Sequence, residues 1–362
     1  MTAPVPLAVD GTSYGSAMTG AARRTSCLLP VLAARGWRPV LFVGRGAARS
    51  LDFLAGVETV RLPVPRSPGP LRSAAGRLLI PGPLRRRGCR LLLTEVPPPP
   101  SGIPFVLTVH DTRAWDAPKL LPWGRRWWMR RVTPPALDRA AAVVTVSEWS
   151  GERLAARFPG CRPAVVPNGC DHLPAPPAGQ PPENPVMLAV GPWHRHKGLD
   201  TLLEAYSTLR REARGPLLPL VLTGGPKPGL PPGVECRTVD DPGLVGLLAR
   251  AAVVIRPSRF EGFDLPLGEA LAAGCPVVAS DLPVHRELAG DAADYFPPGD
   301  AVALAAALRL GLTRGRQAGE DEERRRRVAG FSWEGAGREM DRVLRTAIES
   351  GPLPWTRISP KS

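Results

Sequence analysis

Short apolar runs alternate along this chain with longer segments that have the periodicity of amphipathic helices. Most of the runs are rich in Val, Leu and Ile and are bounded by turn-forming residues, as expected of strands buried in a parallel sheet. The predicted strands are residues 6–9, 39–43, 59–62, 90–94, 105–110, 140–148, 185–191, 218–223 and 252–255. The predicted helices include residues 21–34, 199–209, 240–250, 301–312, 320–327 and 333–348. This alternation indicates an α/β protein built on parallel sheets.

One strand-to-helix unit stands out between residues 251 and 279. Its apolar run is followed by Pro257, Ser258 and Gly262, which interrupt regular structure and therefore indicate a loop. Pro266 suits the first position of a helix, where its missing N–H group is not needed.

The helix after that loop is predicted to be short. Gly274 is typical of the position just past a helix end, so the pattern predicts a helix over residues 266–273. Glu269 would then fall in the first turn, and Glu261 would lie at the start of the loop. The N-terminus of a helix offers free N–H groups and positive potential, and α/β proteins hold phosphates there.

The chain is long enough for two domains and carries a large excess of basic residues. It has 362 residues, of which 43% are hydrophobic, and this content excludes wholesale disorder. Lys and Arg number 47 against 33 Asp and Glu, a formal net charge of +14. This excess favours an anionic partner, such as nucleotide phosphates, nucleic acid or acidic lipid. We expect a cytoplasmic protein, because no secretory pattern and no spanning apolar run is apparent.

Nothing in the sequence predicts a metal site. The six cysteines lack CxxC or zinc-type spacing and are predicted to be reduced and structural. Asp240, Asp241 and Pro242 are interpreted as the capped start of a helix that ends near Arg250.

Two glutamates separated by seven residues, Glu261 and Glu269, carry a resemblance to a known family. The pattern resembles the signature of retaining nucleotide-sugar glycosyltransferases of family 4, which have two Rossmann-like domains facing across a cleft (the GT-B architecture). In that family the first glutamate lies by the donor sugar and the second bonds the ribose hydroxyls. The resemblance also implies donor contacts by Phe263, Leu265 and Pro266. The alternative is a solvated Glu261 and a Glu269 that only complements the helix dipole.

Two cations stand before the helix at 199–209. Arg195 can bind phosphate oxygens through two N–H groups and Lys197 adds a point charge, so they could offset the charge of a departing diphosphate. The stretch resembles the family's phosphate-binding loop and matches it well at Lys197. It departs at Pro192 and His196, where many members place the arginine. The alternative is that both cations are solvated.

The first predicted strand leads into a glycine-rich loop, a usual place for a ligand in an α/β sheet. The glycines at 11, 15 and 20 match neither GxGxxG nor the P-loop. The loop resembles the first loop of family 4 transferases, which implies that Gly20 approaches the donor phosphates. Tyr14 departs from the residue expected in that loop and could line the cleft. The alternative is that Gly20 only permits a tight turn.

His110 and Asp111 end a buried strand, where polar residues of parallel sheets point towards ligands. The pattern resembles the family's acceptor-side histidine, which implies that His110 contacts the donor sugar or transfers a proton. The alternative is a histidine satisfied within the fold. Asp111 is expected to orient His110 or to cap a turn.

Two further motifs predict the domain organisation. Residues 166–171 resemble the family's interdomain crossover, Val-Pro-Asn-Gly-x-Asp. Phe-Ser-Trp at 331–333 matches the start of the family's last helix, which crosses back to the first domain. The resemblance thus implies an acceptor-side domain over 1–171, a nucleotide-sugar-binding domain over 172–335 and a returning helix over 336–350.

Residues 123–132 mix four arginines with three tryptophans. On a helix they could rest on an anionic membrane, with the tryptophans at the headgroup level. The alternative packs Trp127 and Met129 inward and leaves the arginines in solvent. Residues 66–90 are basic and rich in Pro and Gly, and could form a loop or a poorly patterned helix.

Together these resemblances imply transfer of a mannose-, rhamnose- or glucose-like sugar from a nucleoside-diphosphate donor, with retention of anomeric configuration. The acceptor would be a hydroxyl group of a lipid-linked glycan or polysaccharide precursor. No cofactor or metal is implied beyond the donor, and no nucleic-acid partner is expected. The protein would be cytoplasmic, with peripheral contact at the inner face of the membrane as an option.

Three alternatives remain open on the sequence. A nucleic-acid-binding protein would fit the charge, but it would need its cations on one face with aromatic residues for stacking. A non-catalytic sugar-nucleotide-binding protein would keep the fold without turnover. A sugar-nucleotide epimerase of similar form would share the donor.

Overall fold

The computed structural model describes residues 3–66, 69–97, 104–176, 182–213, 215–314 and 317–350. Contacts divide the chain into two compact units, residues 1–169 with 333–362, and residues 170–332. The first unit therefore ends two residues before the boundary expected at 171 and includes the final helix from its first residue. Part of the proline-rich linker expected before residue 185 lies outside the described residues.

The described part of the first unit contains a seven-stranded parallel sheet in the order β3-β2-β1-β4-β5-β6-β7. Its strands are β1 (Val5–Gly11), β2 (Trp37–Gly44), β3 (Glu58–Leu62), β4 (Leu91–Thr94), β5 (Phe105–Val109), β6 (Ala142–Thr145) and β7 (Ala164–Val165). The strand order reverses between β1 and β4, and ligands of open α/β sheets bind at such a point. The apolar runs form strands because helices cover both faces of the sheet and bury the side chains there. Val40, Phe42 and Leu92, for example, have no exposed surface.

Helices follow the strands of this unit. They are α1 (Gly20–Ala34), α2 (Gly69–Leu79), α3 (Pro81–Arg86), α4 (Arg113–Asp116), α5 (Trp123–Leu137) and α6 (Glu148–Arg157). The Thr19 side chain caps α1 by accepting from the N–H of Ala22 at 3.3 Å. The basic stretch 66–90, which the sequence left open, thus contains two helices.

The described part of the second unit contains a six-stranded parallel sheet in the order β10-β9-β8-β11-β12-β13. Its strands are β8 (Val186–Val190), β9 (Leu220–Thr223), β10 (Val234–Arg237), β11 (Ala251–Arg256), β12 (Val277–Ser280) and β13 (Asp294–Phe296). Its helices are α7 (Leu199–Glu212), α8 (Asp241–Arg250), α9 (Leu265–Ala272), α10 (Pro283–Ala289), α11 (Ala301–Arg314) and α12 (Ala318–Val328). Asp240 caps α8 by accepting from the N–H of Gly243 at 3.0 Å, which confirms the interpretation of that segment as a helix start.

The last helix, α13 (Trp333–Ser350), packs against α1 in the first unit. Gly337 makes this approach close, because a β-carbon there would lie 2.3 Å from Cγ1 of Val31. The indole Nε1 of Trp37 donates to Oδ1 of Asp341 at 2.7 Å and adds a directional contact. Close packing at a small residue and a directional polar contact therefore both contribute to the docking of α13.

The expectation that Trp127 packs inward is wrong. Trp127 is 54% exposed and Trp123, one helical turn before it, is 72% exposed. The buried positions of α5, which include Val132 and Ala136, lie on a different side of the helix at 100° per residue. Met129 is half-buried.

We predict that Gly337→Ala destabilises the first unit by about 1–3 kcal/mol, because the added methyl group overlaps Val31 in a packed interface. Thermal and denaturant unfolding measure the loss. Val31→Ala in the same chain removes the overlapping methyl group and should recover most of the lost stability.

Gly246→Ala in α8 is the matched control, because a β-carbon there meets no atom within 4 Å. This helical substitution should stabilise by roughly 0.5–1 kcal/mol. A Gly337→Ala protein as stable as the parent would show that α13 does not dock as described.

Candidate functional site

A lysine and a glutamate far apart in sequence form an ion pair in the second unit. Nζ of Lys197 lies 2.7 Å from Oε1 of Glu261, and the Ser258 hydroxyl donates to the same oxygen at 2.6 Å. Lys197 ends a 3₁₀ turn that begins at Arg195, shortly after β8, and Glu261 lies in the loop after β11. Because β8 and β11 are neighbouring parallel strands, their carboxyl ends bring the two side chains together.

Beneath this pair lies a charged cluster that the sequence did not predict. The guanidinium of Arg256 binds both carboxylate oxygens of Asp264, with Nε 3.0 Å from Oδ2 and Nη2 2.6 Å from Oδ1. Nε2 of His285 lies 3.0 Å from Oδ2 of Asp264, and Nδ1 lies 2.8 Å from the carbonyl oxygen of Ser280. One feature of the sequence could have indicated this cluster. Arg256 directly follows an apolar run, and a charge buried at that position needs a partner.

Electrostatics keeps the Asp264 side chain ionised. Burial alone would raise the pKa of this carboxyl group, but the charges of Arg256 and Lys197 and the hydrogen bond with His285 hold the pKa well below its usual range. The Arg256 pKa is raised, because the Asp264 charge and hydrogen bonds outweigh the opposing effect of burial. The two side chains therefore form a charged pair inside the unit.

Arg195 is placed differently from Lys197. Its side chain is exposed, and its carbonyl oxygen accepts from Nη1 of Arg259 at 3.2 Å. Among the described residues no hydrogen bond or ion pair joins the Arg195 guanidinium to Glu261. The geometry thus groups Lys197 with the first glutamate and leaves Arg195 at the surface of the same turn.

Glu269 does not lie in the first turn of its helix, contrary to expectation. The helix α9 begins at Leu265, one residue before the predicted start, and Asp264 stands at its N-cap position, so Glu269 is the fifth helical residue. It is 8% exposed, and its Oε1 lies 3.1 Å from Nε2 of His172. The alternative in which Glu269 only complements the helix dipole is therefore wrong, and His172 is a partner that the sequence did not indicate.

The three other predicted donor residues in this unit border the same loop and helix. Phe263 is buried and packs edge-on against Phe331, with ring centroids 5.8 Å apart. Leu265 is buried, whereas Pro266 is half-buried. They form an apolar border next to the charged cluster, and their contact with a donor stays a prediction.

In the first unit, His110 lies beside a buried carboxylate. Nε2 of His110 is 3.3 Å from Oε2 of Glu95, which follows β4, the neighbour of β5 in the sheet. The Tyr14 hydroxyl donates to the same oxygen at 3.1 Å and lies 2.6 Å from Oγ1 of Thr25. The sequence analysis did not single out Glu95, although it directly follows the predicted strand at 90–94.

Tyr14 and Asp111 have structural partners. Tyr14 is 3% exposed, and burial together with the Glu95 charge raises the pKa of its hydroxyl well above the usual range. The Tyr14 side chain is therefore enclosed within the first unit. Asp111 accepts from the N–H of Arg113 at 2.8 Å, and so caps the turn that leads into α4.

Gly20 is the first residue of α1 and is exposed. The N–H groups of a first helical turn have no intrahelical acceptors, and here the Thr19 hydroxyl satisfies one of them. The described ranges contain no group of three or more His, Cys, Asp or Glu side chains that could hold a metal ion.

Comparisons with known proteins agree with this arrangement. Residues 184–313 match the model described as glycosyl transferases group 1, and residues 18–172 match glycosyltransferase family 4. The chain is 31% identical over 228 residues to O-antigen chain mannosyltransferase B of Escherichia coli, covering 56% of this chain and 59% of that protein. It is 30% identical over 268 residues to a phosphatidyl-myo-inositol mannosyltransferase of Mycobacterium leprae, covering 68% of each.

A third relative, the MMP alpha-(1->4)-mannosyltransferase of Mycolicibacterium hassiacum, is 28% identical over 274 residues, covering 68% of this chain and 66% of that protein. The matches thus span about three fifths to two thirds of the relatives' own lengths.

Solved structures show the same fold. Sucrose-phosphate synthase from Thermosynechococcus elongatus aligns with a TM-score of 0.78 at 20% identity, over 96% of this chain and 100% of that one. WaaG, a glycosyltransferase involved in lipopolysaccharide biosynthesis, aligns with a TM-score of 0.66 at 17% identity, over 96% of this chain and 98% of that one. These likenesses confirm the predicted fold class of two Rossmann-like α/β domains. With the family models and the relatives, they show that this chain belongs to the group 1, family 4 glycosyltransferases.

Proposed function

We propose that this protein transfers a mannose-like sugar from a nucleoside-diphosphate donor to a hydroxyl group of a glycan acceptor, with retention of anomeric configuration. The ion pair between Lys197 and Glu261, at the carboxyl ends of β8 and β11, carries the proposal. The names of three similar proteins, all mannosyltransferases, support the choice of sugar over rhamnose and glucose.

The pair retains bonding capacity for a donor. An ammonium group has three N–H donors, and the Glu261 contact uses one, so Lys197 can bind oxygens of a diphosphate. The hydrogen bonds from Lys197 and Ser258 both reach Oε1 of Glu261, which leaves Oε2 to accept from a sugar hydroxyl. Lys197 would offset the charge that builds on the departing nucleotide, as cations do in phosphoryl chemistry.

Glu269 and Gly20 would contribute to donor binding. Oε1 of Glu269 faces His172, so Oε2 is the oxygen that would accept from the ribose hydroxyls. Gly20 begins a helix of 15 residues whose first N–H groups favour an anion. Arg195, exposed on the turn that carries Lys197, would reach the diphosphate from the solvent side.

His110 would contact the transferred sugar. Glu95 lies 3.3 Å from Nε2 of His110, and a proton on that nitrogen would leave Nδ1 as an acceptor in the neutral ring. A sugar hydroxyl could then donate to Nδ1. Glu95 would act in the same manner as carboxylates that orient catalytic histidines.

An exposed aromatic and basic surface suggests where a lipid-linked acceptor would be met. Trp123 and Trp127 project from α5, and Leu71 and Leu78 are 55% and 82% exposed on α2, which packs against α5. Tryptophans with neighbouring arginines suit the headgroup region of an anionic membrane. No described helix is long and apolar enough to cross a membrane, so we propose peripheral contact at the cytoplasmic face.

We predict that Lys197→Met lowers kcat for sugar transfer by about 100- to 1,000-fold, because a cation aimed at developing charge is lost. Glu261→Gln should show a similar loss, whereas Lys119→Met, which removes an exposed lysine of the first unit, should leave kcat unchanged. Product formation from GDP-, UDP- and dTDP-sugars measures the rates, and melting curves confirm folding.

The same assays separate the alternatives. A parent protein that binds a sugar nucleotide but never turns it over would be a binding protein, and one that only interconverts donor sugars would be an epimerase. Unchanged transfer by both variants would remove the ion pair from the mechanism.

We predict that one nucleoside diphosphate among GDP, UDP and dTDP raises the melting temperature most, because a ligand that binds only the folded state stabilises it. Glu269→Gln should reduce this shift through the loss of an acceptor for the ribose hydroxyls. A shift that Glu269→Gln leaves unchanged would place the nucleotide elsewhere.

We predict that the protein sediments with phosphatidylglycerol vesicles and that Trp123→Ala with Trp127→Ala weakens this binding about tenfold or more. Phe53→Ala is the control, because Phe53 is an exposed aromatic of the same unit, 84% exposed, outside α2 and α5. Equal binding by the parent and the double variant would exclude α5 as the contact.

A further inference from the structure

Asp264 has a left-handed backbone conformation, which aspartate adopts more often than most residue types but less easily than glycine. Its φ is 73° and its ψ is 69°, in the left-handed region where glycine is at ease and a β-carbon is crowded. Among the described residues other than glycine, only Asn184 shares a positive φ. A glycine would adopt this conformation with less strain, but it would lack the carboxylate that contacts Arg256 and His285.

Asp264 connects three segments of the second unit through its carboxylate and its backbone carbonyl oxygen. It binds Arg256 at the end of β11 through two hydrogen bonds and contacts His285 of α10 at 3.0 Å. The backbone carbonyl oxygen of Asp264 accepts from the N–H of Leu267 at 3.0 Å and from the N–H of Gly268 at 3.4 Å, and these two bonds begin α9. One residue therefore anchors the end of the Glu261 loop and the start of the helix that carries Glu269.

Charges of alternating sign connect Asp264 to the ion pair. Nζ of Lys197 is 2.7 Å from Glu261 and 4.0 Å from Oδ1 of Asp264. Nη2 of Arg256 is 2.6 Å from Asp264 and 4.0 Å from Oε1 of Glu261. Each cation thus has one close carboxylate and a second one within reach. Because the Asp264 and Arg256 side chains are almost completely buried, water cannot replace a lost partner.

We propose that Asp264 is a positioning residue of the transferase site, which keeps Arg256 occupied so that Glu261 stays paired with Lys197. This proposal rests on the proposed function. Without the Asp264 charge, the buried Arg256 guanidinium binds Glu261, which is the other carboxylate within its reach. The ion pair between Lys197 and Glu261 is then lost. Without the Arg256 charge, Asp264 draws Lys197 away from Glu261. The loop conformation and the strained φ serve the placement of one carboxylate.

A double-mutant cycle tests this exchange of partners. Asp264→Asn keeps the side-chain shape and tolerates a positive φ, and we expect kcat to fall about 10- to 100-fold, because the reacting groups are displaced by roughly 1 Å. Arg256→Gln should cause a similar fall. The double variant removes both charges, so Glu261 keeps Lys197 and most of kcat should return. Independent losses that simply add would contradict the proposal.

Asn184→Gly is the control for backbone effects, since it relieves the other positive φ in an exposed loop and should leave kcat unchanged. If Asp264→Asn does not fold, a double variant with a higher kcat than Arg256→Gln still supports the exchange of partners, and one with no higher kcat contradicts it. A kcat for folded Asp264→Asn within about twofold of the parent would overturn the proposal, because positioning should affect the rate more than this.

Crystal structures of the two single variants supply a readout that needs no activity. We expect Glu261 to contact Arg256 in Asp264→Asn, and Lys197 to contact Asp264 in Arg256→Gln. An unchanged distance from Lys197 Nζ to Glu261 Oε1 in both would overturn the positioning role. A parent protein that transfers no sugar would instead refute the proposed function alone.

Discussion

A buried charge needs a partner within the protein, and this requirement organises the second unit around Arg256 and Asp264. Their side chains are 2% and 0% exposed, so each relies on the other for compensation. Because Arg256 ends β11 and Asp264 precedes α9, the pair closes the loop between them, and His285 ties that loop to α10. Glu261 lies in this closed loop and therefore has a defined position.

Sheet topology supplies the rest of the placement in the same way in both units. Lys197 and Glu261 follow β8 and β11, which are neighbouring strands although many residues separate them along the chain. His110 and Glu95 follow β5 and β4, which are also neighbours. In each unit a parallel sheet collects polar side chains at its carboxyl edge, while the strands themselves stay apolar. The chemistry depends on strand order more than on sequence distance.

The sequence predicted most of the strands and both sheets as parallel, because apolar runs and glycine-proline signals are local features. It did not predict the contacts that depend on where different segments meet. Glu269 was placed in the first helical turn, because the predicted helix begins one residue after α9 does and Asp264 takes the N-cap position. Trp127 is exposed although one interpretation placed it inside, because its apolar character alone does not indicate which side of α5 is covered. His172 could be recognised as a partner only from three-dimensional contact.

A family motif thus identifies residues that would meet a ligand, but not the groups that hold them. Glu261 has Lys197 and Glu269 has His172 as partners within the second unit. A diphospho-sugar bound as proposed would share Lys197 with Glu261, while its hydroxyl groups would donate to the glutamates. Because the Lys197 charge is already compensated by Glu261, part of its attraction for phosphate is offset, which favours a modest and reversible affinity over a tight one. Under the proposed function the nucleotide must leave after every turnover, and this balance helps its release.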